Sequence, residues 1–564
     1  MRKTIICALL AVAFVAISYL LVLYQQSPPR PVAANAPVDV FSSGRAMEIL
    51  RTIAQKPHPI GSPEHEAVRA FILQQLSALG LQTEVQTTTG RGVVNGRPGS
   101  VAVNNIIAIL KGSGSDKALL LAAHYDTVPN SPGASDDGAG VATLLETARA
   151  LKNDPPLRND LIFLFSDGEE TGLLGAEAFL QHPLSKQVAL ALNFEARGAS
   201  GPSVLFETSD NNAWLIDEFA AAAPYPNGNS VAYEIYRLMS NSTDMQVFKE
   251  AGIAGLNFAY FDGVNRYHSE TDDLQSISEA SLQHHGSYAL ALARRFGNAS
   301  LDTPSSSNAV YFDVLGKWLV HYSTKWVLPA TLLIAIIFAA ITWFGAKRGK
   351  ITLPGVGLGL LSFIAAIFAA LGFGLLAWGF IASTPVRKAN PGGVYFAVFV
   401  LLSGIIAFVL YRRSIRKATI ENLALGALAG WLFLLVITSL LIPGSSYLFF
   451  WPLLFCLAAR LIMFRAETTT VTLFALQLLL VLPAVVLLVP MAYSIFVALG
   501  FPSVTIVAPM LMLLFGLLIP QFACVTHLNS FFSVQPLCPL CLRGENERQL
   551  QRHRGHRGCT EKKL

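Results

Sequence analysis

The chain has 564 residues, of which 53% are hydrophobic and 14% are charged, and its formal net charge is +5. So large an apolar fraction excludes both an ordinary soluble protein and a disordered one. The sequence has no basic patch with interleaved aromatic residues, so we expect no nucleic-acid partner.

The first predicted element is an apolar run from Thr4 to Tyr24, which follows Arg2 and Lys3. A run of this length can span a bilayer, and no small-residue cleavage site stands directly after it. We therefore predict an uncleaved signal anchor over residues 1–26 rather than a cleaved signal peptide. The proline-rich segment 27–42 is predicted to be a linker that holds the next domain away from the membrane.

Residues 43–300 alternate between short apolar runs and helical stretches. Ser62 and Pro63 are typical of a helix start, and that helix is predicted to continue to Leu79. Further helices are predicted over 139–151 and 211–222, and strands over 118–123, 161–165, 188–192 and 255–260. Short, continuously apolar strands indicate a parallel sheet that is buried on both faces. The predicted fold class is α/β, with a mostly parallel sheet flanked by helices.

Polar side chains that can bind metal follow each of these strands. In chain order they are His124, Asp126, Asp136, Glu169, Glu170, Glu195 and His268. Open α/β sheets place their sites at the carboxyl ends of the strands, so we expect these side chains to meet at one edge of the sheet. Imidazole and carboxylate groups together form a ligand set that zinc accepts.

Each of these residues also has a simpler interpretation when it is taken alone. A histidine after a strand is usually a hydrogen-bonded loop residue, and adjacent glutamates usually begin a solvated helix. Their joint occurrence at successive strand ends favours the metal site. His58 and His65 are interpreted as solvated or structural residues, and Arg197 either binds a substrate carbonyl or forms an ordinary salt bridge.

The motif order HYD, GASDDGAG, DGEE, NFE and YHS resembles that of the two-zinc aminopeptidases of metallopeptidase family 28. The resemblance covers roughly residues 45 to 300. It is greatest to the membrane-embedded branch, which includes the vacuolar and endoplasmic-reticulum membrane proteases. The resemblance implies the zinc aminopeptidase fold and a membrane-anchored exopeptidase, of the aminopeptidase type, with peptides as substrates and two Zn²⁺ as cofactors.

The resemblance also implies a role for each metal ligand. Asp136 would bridge the two zinc ions, His124 and Glu195 would complete one site, and Glu170 and His268 would complete the other. Many members of the family have aspartate where this chain has Glu195, whereas the membrane-embedded branch has glutamate there.

Two further residues receive catalytic roles by the same resemblance. Glu169 would be the general base that activates water. Asp126 would hold the His124 ring in the tautomer that leaves one nitrogen free for the metal. The six cysteines all lie outside this domain, so a thiol mechanism is excluded here.

The second half of the chain is predicted to be an all-α membrane domain over residues 327–523, joined to the first domain by a tether at 301–326. Apolar runs of about 20 residues, long enough to span a bilayer, occur near 327–346, 354–382, 393–411, 421–442, 446–464, 469–491 and 503–523. None of them carries paired acidic residues, which disfavours a transporter.

The orientation follows from the lysine and arginine residues in short loops. Basic clusters at 347–350 and 412–417 agree with Arg2 and Lys3 in marking the cytoplasmic side, whereas Arg387 and Lys388 oppose them. The zinc peptidase domain is therefore predicted to lie on the non-cytoplasmic side, in the periplasm, the exterior or an organelle lumen.

The segment 524–564 is predicted to be a basic cytoplasmic tail. Its Cys538, Cys541, His553, His556 and Cys559 have a spacing similar to that of small zinc sites. We favour an altered terminus over a genuine zinc knuckle, and both interpretations remain open.

Two other functions are compatible with parts of this sequence. Glutaminyl cyclases resemble the same fold but use a single zinc for acyl transfer, and receptor-like relatives bind peptides without catalysis. The complete set of ligands for two metals favours peptide hydrolysis over both. The sequence predicts no oligomeric state.

Overall fold

The computed structural model describes residues 2–94, 97–114, 116–237, 242–302, 307–466 and 470–521. The helices and strands before the membrane half are α1 (Arg2–Gln25), α2 (Ser43–Ile53), α3 (Pro63–Ala78), β1 (Gln82–Val94), β2 (Arg97–Leu110), β3 (Ala118–His124), α4 (Gly138–Leu151), β4 (Asp160–Ser166), α5 (Leu174–Leu180), β5 (Val188–Phe194), β6 (Val204–Thr208), α6 (Ala213–Ala222), α7 (Ser230–Tyr236), α8 (Asp244–Glu250), β7 (Ala254–Ala259), α9 (Glu279–Asn298), β8 (Ala309–Val314) and β9 (Trp318–Ser323).

Strands β1 to β7 form one sheet in the order β1-β2-β4-β3-β5-β7-β6. The four central strands, β4, β3, β5 and β7, are parallel, and the outer strands are antiparallel to their neighbours. These four are the strands that the apolar runs predict. The predicted fold class, an α/β domain with a mostly parallel sheet followed by an all-α region, is confirmed.

Strand β3 shows why the predicted strands lack alternating polarity. Leu119 and Leu121 pack in the core beneath α2, α4 and α9, whereas Leu120 and Ala122 pack on the opposite face against α5 and α8. Successive side chains of a strand point to opposite faces. Because both faces carry helices, every residue of β3 is buried.

The start of α3 follows the predicted capping pattern. Ser62 is the N-cap, and its hydroxyl accepts a hydrogen bond from the backbone N–H of His65 at 3.1 Å. Pro63 occupies the first turn, where its missing N–H costs nothing. The helix ends at Ala78, one residue before the predicted end.

The segment predicted as a tether, 301–326, instead contains a β-hairpin that belongs to the first domain. Strands β8 and β9 pair antiparallel, and Leu315 and Gly316 both have positive φ at the turn. The backbone N–H of Tyr311 donates to the hydroxyl of Ser230 at 3.1 Å, which fastens β8 to α7. The β-branched and aromatic residues of β8 favour a strand, and Tyr311 and Phe312 are buried.

The predicted linker over 27–42 forms hydrogen bonds with residues at the start of α2. The hydroxyl of Ser42 donates to the carbonyl of Val32, and the guanidinium of Arg45 donates to the carbonyls of Ala34 and Ala36. Side chains at the start of α2 thus satisfy the backbone of the linker, so it lies along the domain surface.

The membrane half consists of α10 (Val327–Lys347), α11 (Leu353–Ala382), α12 (Gly393–Ile415), α13 (Ile420–Leu441), α14 (Tyr447–Arg465), α15 (Val471–Leu499) and α16 (Val504–Leu517). Six helices of the described chain, α10 to α15, are long and apolar enough to cross a membrane. The seventh predicted span is the shorter helix α16. The N-terminal helix α1 packs against α15, where Cys7 forms an apolar cluster with Phe474 and Leu478.

The two halves of the described chain contact each other at one end of the membrane helices. The hydroxyl of Ser230 donates to the carbonyl of Gly444 at 2.6 Å, and the ring of Phe312 stacks on that of Tyr447 at 4.4 Å. The phenol of Tyr493 in α15 donates to Asp262 at 3.3 Å. The domain of the first half therefore sits directly on the membrane half.

Candidate active site

The polar residues predicted from the sequence meet at the carboxyl ends of the parallel strands. His124 is the last residue of β3, Glu195 follows the last residue of β5, and the Glu169–Glu170 pair follows β4 by a short turn. His268 lies on the loop after β7, where the side chain of Asn130 donates to its carbonyl at 3.0 Å.

Asp136 lies at the centre of this group, and its two carboxylate oxygens face different histidines. Oδ1 is 3.3 Å from Nε2 of His124, and Oδ2 is 3.1 Å from Nε2 of His268. A carboxylate that divides its oxygens in this way can bridge two cations.

One further carboxylate stands beside each imidazole. Oε2 of Glu195 is 3.7 Å from Nε2 of His124, and Oε1 of Glu170 is 3.0 Å from Nε2 of His268. With Asp136 shared, these contacts define two groups, each with one imidazole and two carboxylates. The pairing is the one that the family resemblance implies.

Asp137 lies as close to His124 and Glu195 as a metal ligand would, with the three ligand atoms within 4.8 Å of one another. However, one oxygen of Asp137 accepts from the backbone N–H of Gly140 at 3.0 Å and the other from that of His124 at 3.2 Å. Both oxygens thus serve the N-cap of α4 and the end of β3, so we assign Asp137 a structural role.

The hydrogen bonds of the site suit a cation between these side chains. Nδ1 of His124 lies 3.0 Å from the carbonyl oxygen of Asp126, which places the ring proton on Nδ1 and leaves the lone pair of Nε2 facing carboxylates. Nε2 of His268 and Oε1 of Glu170 are buried and face each other at 3.0 Å. Nitrogen and oxygen lone pairs that face one another are the donor set of a zinc site, so the residues fit this metal.

Burial and like charges set the protonation of the group. Burial raises the pKa of Glu169 and Glu195, and it raises the pKa of Glu170 to about 7. Burial also opposes ionisation of Asp136, but hydrogen bonds from His124 and His268 outweigh it and lower the pKa of Asp136 to about 2. The site therefore holds more carboxylates than its two imidazoles can balance, which favours a divalent cation.

Asp126 stands behind the metal ligands and joins two of them. Its carboxylate lies 3.4 Å from Nδ1 of His124 and accepts hydrogen bonds from the backbone N–H groups of Glu169, at 3.0 Å, and Glu170, at 3.3 Å. It therefore orients the imidazole and also fixes the turn that carries both glutamates. The second function was not predicted.

Two buried acids near the site were missed by the sequence analysis. The carboxylate of Asp272 accepts from the backbone N–H groups of Ser135 at 2.9 Å and Asp136 at 3.1 Å, and burial raises its pKa to about 7. Asp244 accepts a hydrogen bond from the hydroxyl of Ser166, and burial raises its pKa to about 6. The only sequence signal for Asp272 was an acidic pair four residues after His268.

His58 and His65 are structural, and the expectation that they could be solvated was wrong. His58 and His65 are both 2% exposed. Nε2 of His65 lies 2.9 Å from Asp167, and its ring stacks on that of Tyr125 at 4.6 Å. His65 is buried because it packs against Tyr125 of the HYD motif. The sequence around His65 does not indicate this contact.

A cavity of about 540 Å³ opens onto the metal-binding group and reaches the membrane half. Glu169, Glu170 and His268 line one part of it, together with Arg197, whose guanidinium lies 5.6 Å from the ring centre of Tyr267. Ser242 and Thr243 also line it.

Residues 105–293 match the model of Peptidase family M28. This match confirms the family resemblance that the motifs indicated, over the segment that carries all of the ligands.

The chain is also similar to curated membrane peptidases. It is 33% identical over 313 residues to a vacuolar membrane protease of Eremothecium gossypii, covering 52% of this chain and 31% of that protein. It is 27% identical over 365 residues to the human endoplasmic reticulum metallopeptidase 1, covering 59% of this chain and 40% of that protein. The chain thus spans well under half the length of these relatives.

Two solved structures each match a little under half of the chain. An aminopeptidase from Aneurinibacillus sp. strain AM-1 has a TM-score of 0.39 and 15% identity, and covers 46% of this chain and 95% of its own. The glutaminyl cyclase of Porphyromonas gingivalis has a TM-score of 0.37 and 22% identity, and covers 44% of this chain and 96% of its own.

Proposed function

We propose that this chain, which carries the M28 peptidase match over residues 105–293, is a membrane-anchored zinc-dependent exopeptidase of the aminopeptidase type that uses two zinc ions. The observation that carries the proposal is the position of Asp136, with one carboxylate oxygen toward His124 and the other toward His268. Each imidazole also has its own glutamate, so two complete sets of ligands share one bridge.

Two groups of residues would bind the zinc ions that hydrolysis requires. His124, Asp136 and Glu195 would hold one zinc ion, and Glu170 and His268 would hold the other with Asp136. Zinc at such a site supplies a Lewis acid that polarises the substrate carbonyl and lowers the pKa of water.

Proton transfer falls to Glu169. Its carboxylate takes a proton from the water that attacks the peptide carbonyl, and it returns that proton to the leaving amine as the C–N bond breaks. Asp126 keeps this base in place, since its own carboxylate holds the backbone N–H of Glu169. Glu169 also lines the cavity, where the substrate carbonyl must lie.

The size of the cavity supports cleavage at a chain end. Its volume of about 540 Å³ lies in the range of small-ligand sites, about 300–1,000 Å³, and the membrane half covers one side of it. Such a space accommodates the end of a peptide rather than a folded chain.

The second candidate is a single-zinc acyl transferase of the glutaminyl cyclase type, and the third is a peptide-binding membrane protein without activity. The intact pair of Glu170 and His268 beside Asp136 argues against both, because each would leave these ligands without a use.

We also propose that the domain boundaries run from residue 43 to the hairpin β8–β9, and that α1 is retained as an anchor, since α15 would otherwise lose the apolar cover that Cys7 provides.

The test uses the purified full-length protein in detergent. Zinc content near two per chain, with hydrolysis of peptides that have free amino termini and not of peptides with blocked ones, is expected. A content near one per chain with cyclisation of amino-terminal glutamine would favour the acyl transferase instead.

Removing the bridge provides the matching variant. Asp136→Ala should abolish hydrolysis and lower the zinc content to one or none, because both sites lose a ligand. Excess chelator should inactivate the wild-type protein, and added zinc should restore it. Full activity after long exposure to chelator would exclude a metal mechanism.

A further inference from the structure

The cavity at the candidate active site has a wall that comes from the membrane half. The residues of α15 that line it include Leu487, Pro490, Met491, Ser494, Ile495 and Ala498. Their spacing of three or four residues places them on one face of the helix. One face of a membrane helix is therefore turned toward the metal-binding group.

The lining of the cavity combines polar and apolar side chains. Glu169, Arg197 and His268 are polar residues of the site, and Gln25 and Asp313 are further polar residues of the lining. The stacked rings of Phe312 and Tyr447, which join β8 to the start of α14, add to the apolar residues of α15. Leu487 and Met491 are 8% and 6% exposed, so they face protein and cavity rather than lipid.

The length of α15 allows it to reach the active site from the membrane. The helix has 29 residues, which corresponds to about 43 Å at 1.5 Å per residue, whereas the apolar core of a bilayer is about 30 Å thick. The helix is therefore longer than the apolar core is thick, and Tyr493 near its carboxyl-terminal end donates to Asp262, on the loop that leads to His268.

We propose that α15 forms the specificity wall of the active site and selects peptides with a large apolar side chain beside the scissile bond. This inference rests on the proposed peptidase function and assigns its substrate class. A side chain of leucine or phenylalanine size would bury against Leu487 and Met491, whereas a charged one would lose its hydration there. Catalysis and selection would then come from different halves of the chain.

The experiment measures kcat/KM of the full-length protein in lipid nanodiscs for peptides that differ only in an amino-terminal alanine, leucine or phenylalanine. The wild-type protein is expected to prefer leucine or phenylalanine to alanine by at least about 10-fold, since one methylene group in an apolar pocket already changes kcat/KM by about 10-fold or more.

Two variants change the wall in opposite directions. Met491→Ala enlarges the cavity and should shift preference from leucine toward phenylalanine, and Ala498→Phe fills it and should shift preference from phenylalanine toward alanine. Damage to the fold would lower all three values together. The control is Leu479→Ala, at a position of the same helix that is 61% exposed, and it should keep the wild-type preference.

Two outcomes separate the proposals. Hydrolysis with the same preference in both wall variants and in the wild type would overturn the role of α15 and leave the peptidase function in place. Failure of the zinc-loaded wild type to hydrolyse any of the three peptides would contradict the peptidase function and, with it, this inference.

Discussion

At the scale of single residues, the hydrogen bonds that a carboxylate already accepts decide whether it can bind a metal ion. The oxygens of Asp137 accept from backbone N–H groups, whereas Oε1 of Glu170 and Nε2 of His268 face each other at 3.0 Å. A metal ion between Glu170 and His268 would bind a lone pair of each, and Asp137 would take no part.

The first prediction at this scale concerns the general base. Glu169→Gln should retain zinc but lose about 10²–10⁴-fold in kcat, the usual contribution of a positioned base. Zinc analysis and steady-state kinetics on the same preparation measure both quantities. Glu177→Gln on α5, an exposed glutamate, is the matched control and should behave as the wild type. Near-normal turnover of Glu169→Gln would require another base.

The second prediction concerns Asp272, which holds the loop of the bridging aspartate. Asp272→Asn keeps the size of the side chain but replaces one acceptor oxygen with a donor, so one of the N–H groups of Ser135 and Asp136 loses its partner. Loss of such support usually lowers metal affinity by about 10–100-fold. Competition with a chelator measures the change.

The control for this variant is the adjacent residue. Asp273 accepts from the backbone N–H groups of Gln275 and Ser276 and forms no hydrogen bond to the loop of Asp136 in the described structure. Asp273→Asn should therefore keep wild-type zinc affinity. Equal affinity in both variants would show that Asp272 does not support the bridge.

At the scale of elements, the membrane helices pack through small residues where the first domain packs through large ones. Gly426 of α13 lies against the backbone of α11, near Gly359 and Leu360. Helices in a bilayer gain little from burying apolar surface, so close backbone approach is their main source of stability. This explains why the amphipathic patterns that mark the soluble helices are lost in this half.

A matched pair of alanine substitutions tests this packing. A Cβ atom at Gly426 would fall 2.5 Å from the carbonyl carbon of Gly359, whereas one at Gly357 meets nothing within 4 Å. Gly426→Ala should destabilise the protein by about 1–3 kcal/mol, the usual cost of overpacking, and Gly357→Ala should not. Thermal unfolding in detergent measures both. Equal melting temperatures of the two variants would show that the close approach of α11 and α13 does not contribute to stability.

At the scale of the whole molecule, the basic helix ends lie opposite the catalytic domain. The amino group of Lys350 donates to the carbonyl of Ala466 at 3.4 Å, which brings the loops after α10 and α14 together. Gly444, before the start of α14, and Tyr493, near the end of α15, contact the first domain. Both lie at the ends of these two helices that are distant from the loop after α14. The proposed orientation, with the catalytic domain on the non-cytoplasmic side, is supported by this arrangement, because short basic loops remain in the cytoplasm.

Cysteine labelling tests the orientation in a background in which the six native cysteines are serine. Ser77→Cys, exposed on α3, should react with an impermeant thiol reagent in sealed right-side-out vesicles. Lys417→Cys in the loop after α12 should react only after permeabilisation. The opposite pattern would reverse the topology. Ser115, another position of this domain, and the tail with Cys538 and Cys541 lie outside the described residues.

Local sequence was sufficient for the central strands and for the candidate ligands that follow them. Each of β3, β4, β5 and β7 is a continuous apolar run that ends in a polar motif, and a run this short favours a buried strand over a buried helix. Hairpin β8–β9 and the docked segment 27–42 were not predicted, because their structure depends on partners distant in the chain. Ser230 and Arg45, which hold them, carry no local signal for these contacts.

The sequence by itself determined the fold class, the set of candidate metal ligands and the presence of long apolar helices, since these follow from hydrophobic periodicity and from residue types at strand ends. Only the tertiary structure decided that Asp136 divides its oxygens between His124 and His268, that Asp272 holds its loop, and that α15 closes the cavity. The physical reason is that distances and hydrogen bonds between residues far apart in the chain exist only once packing brings them together.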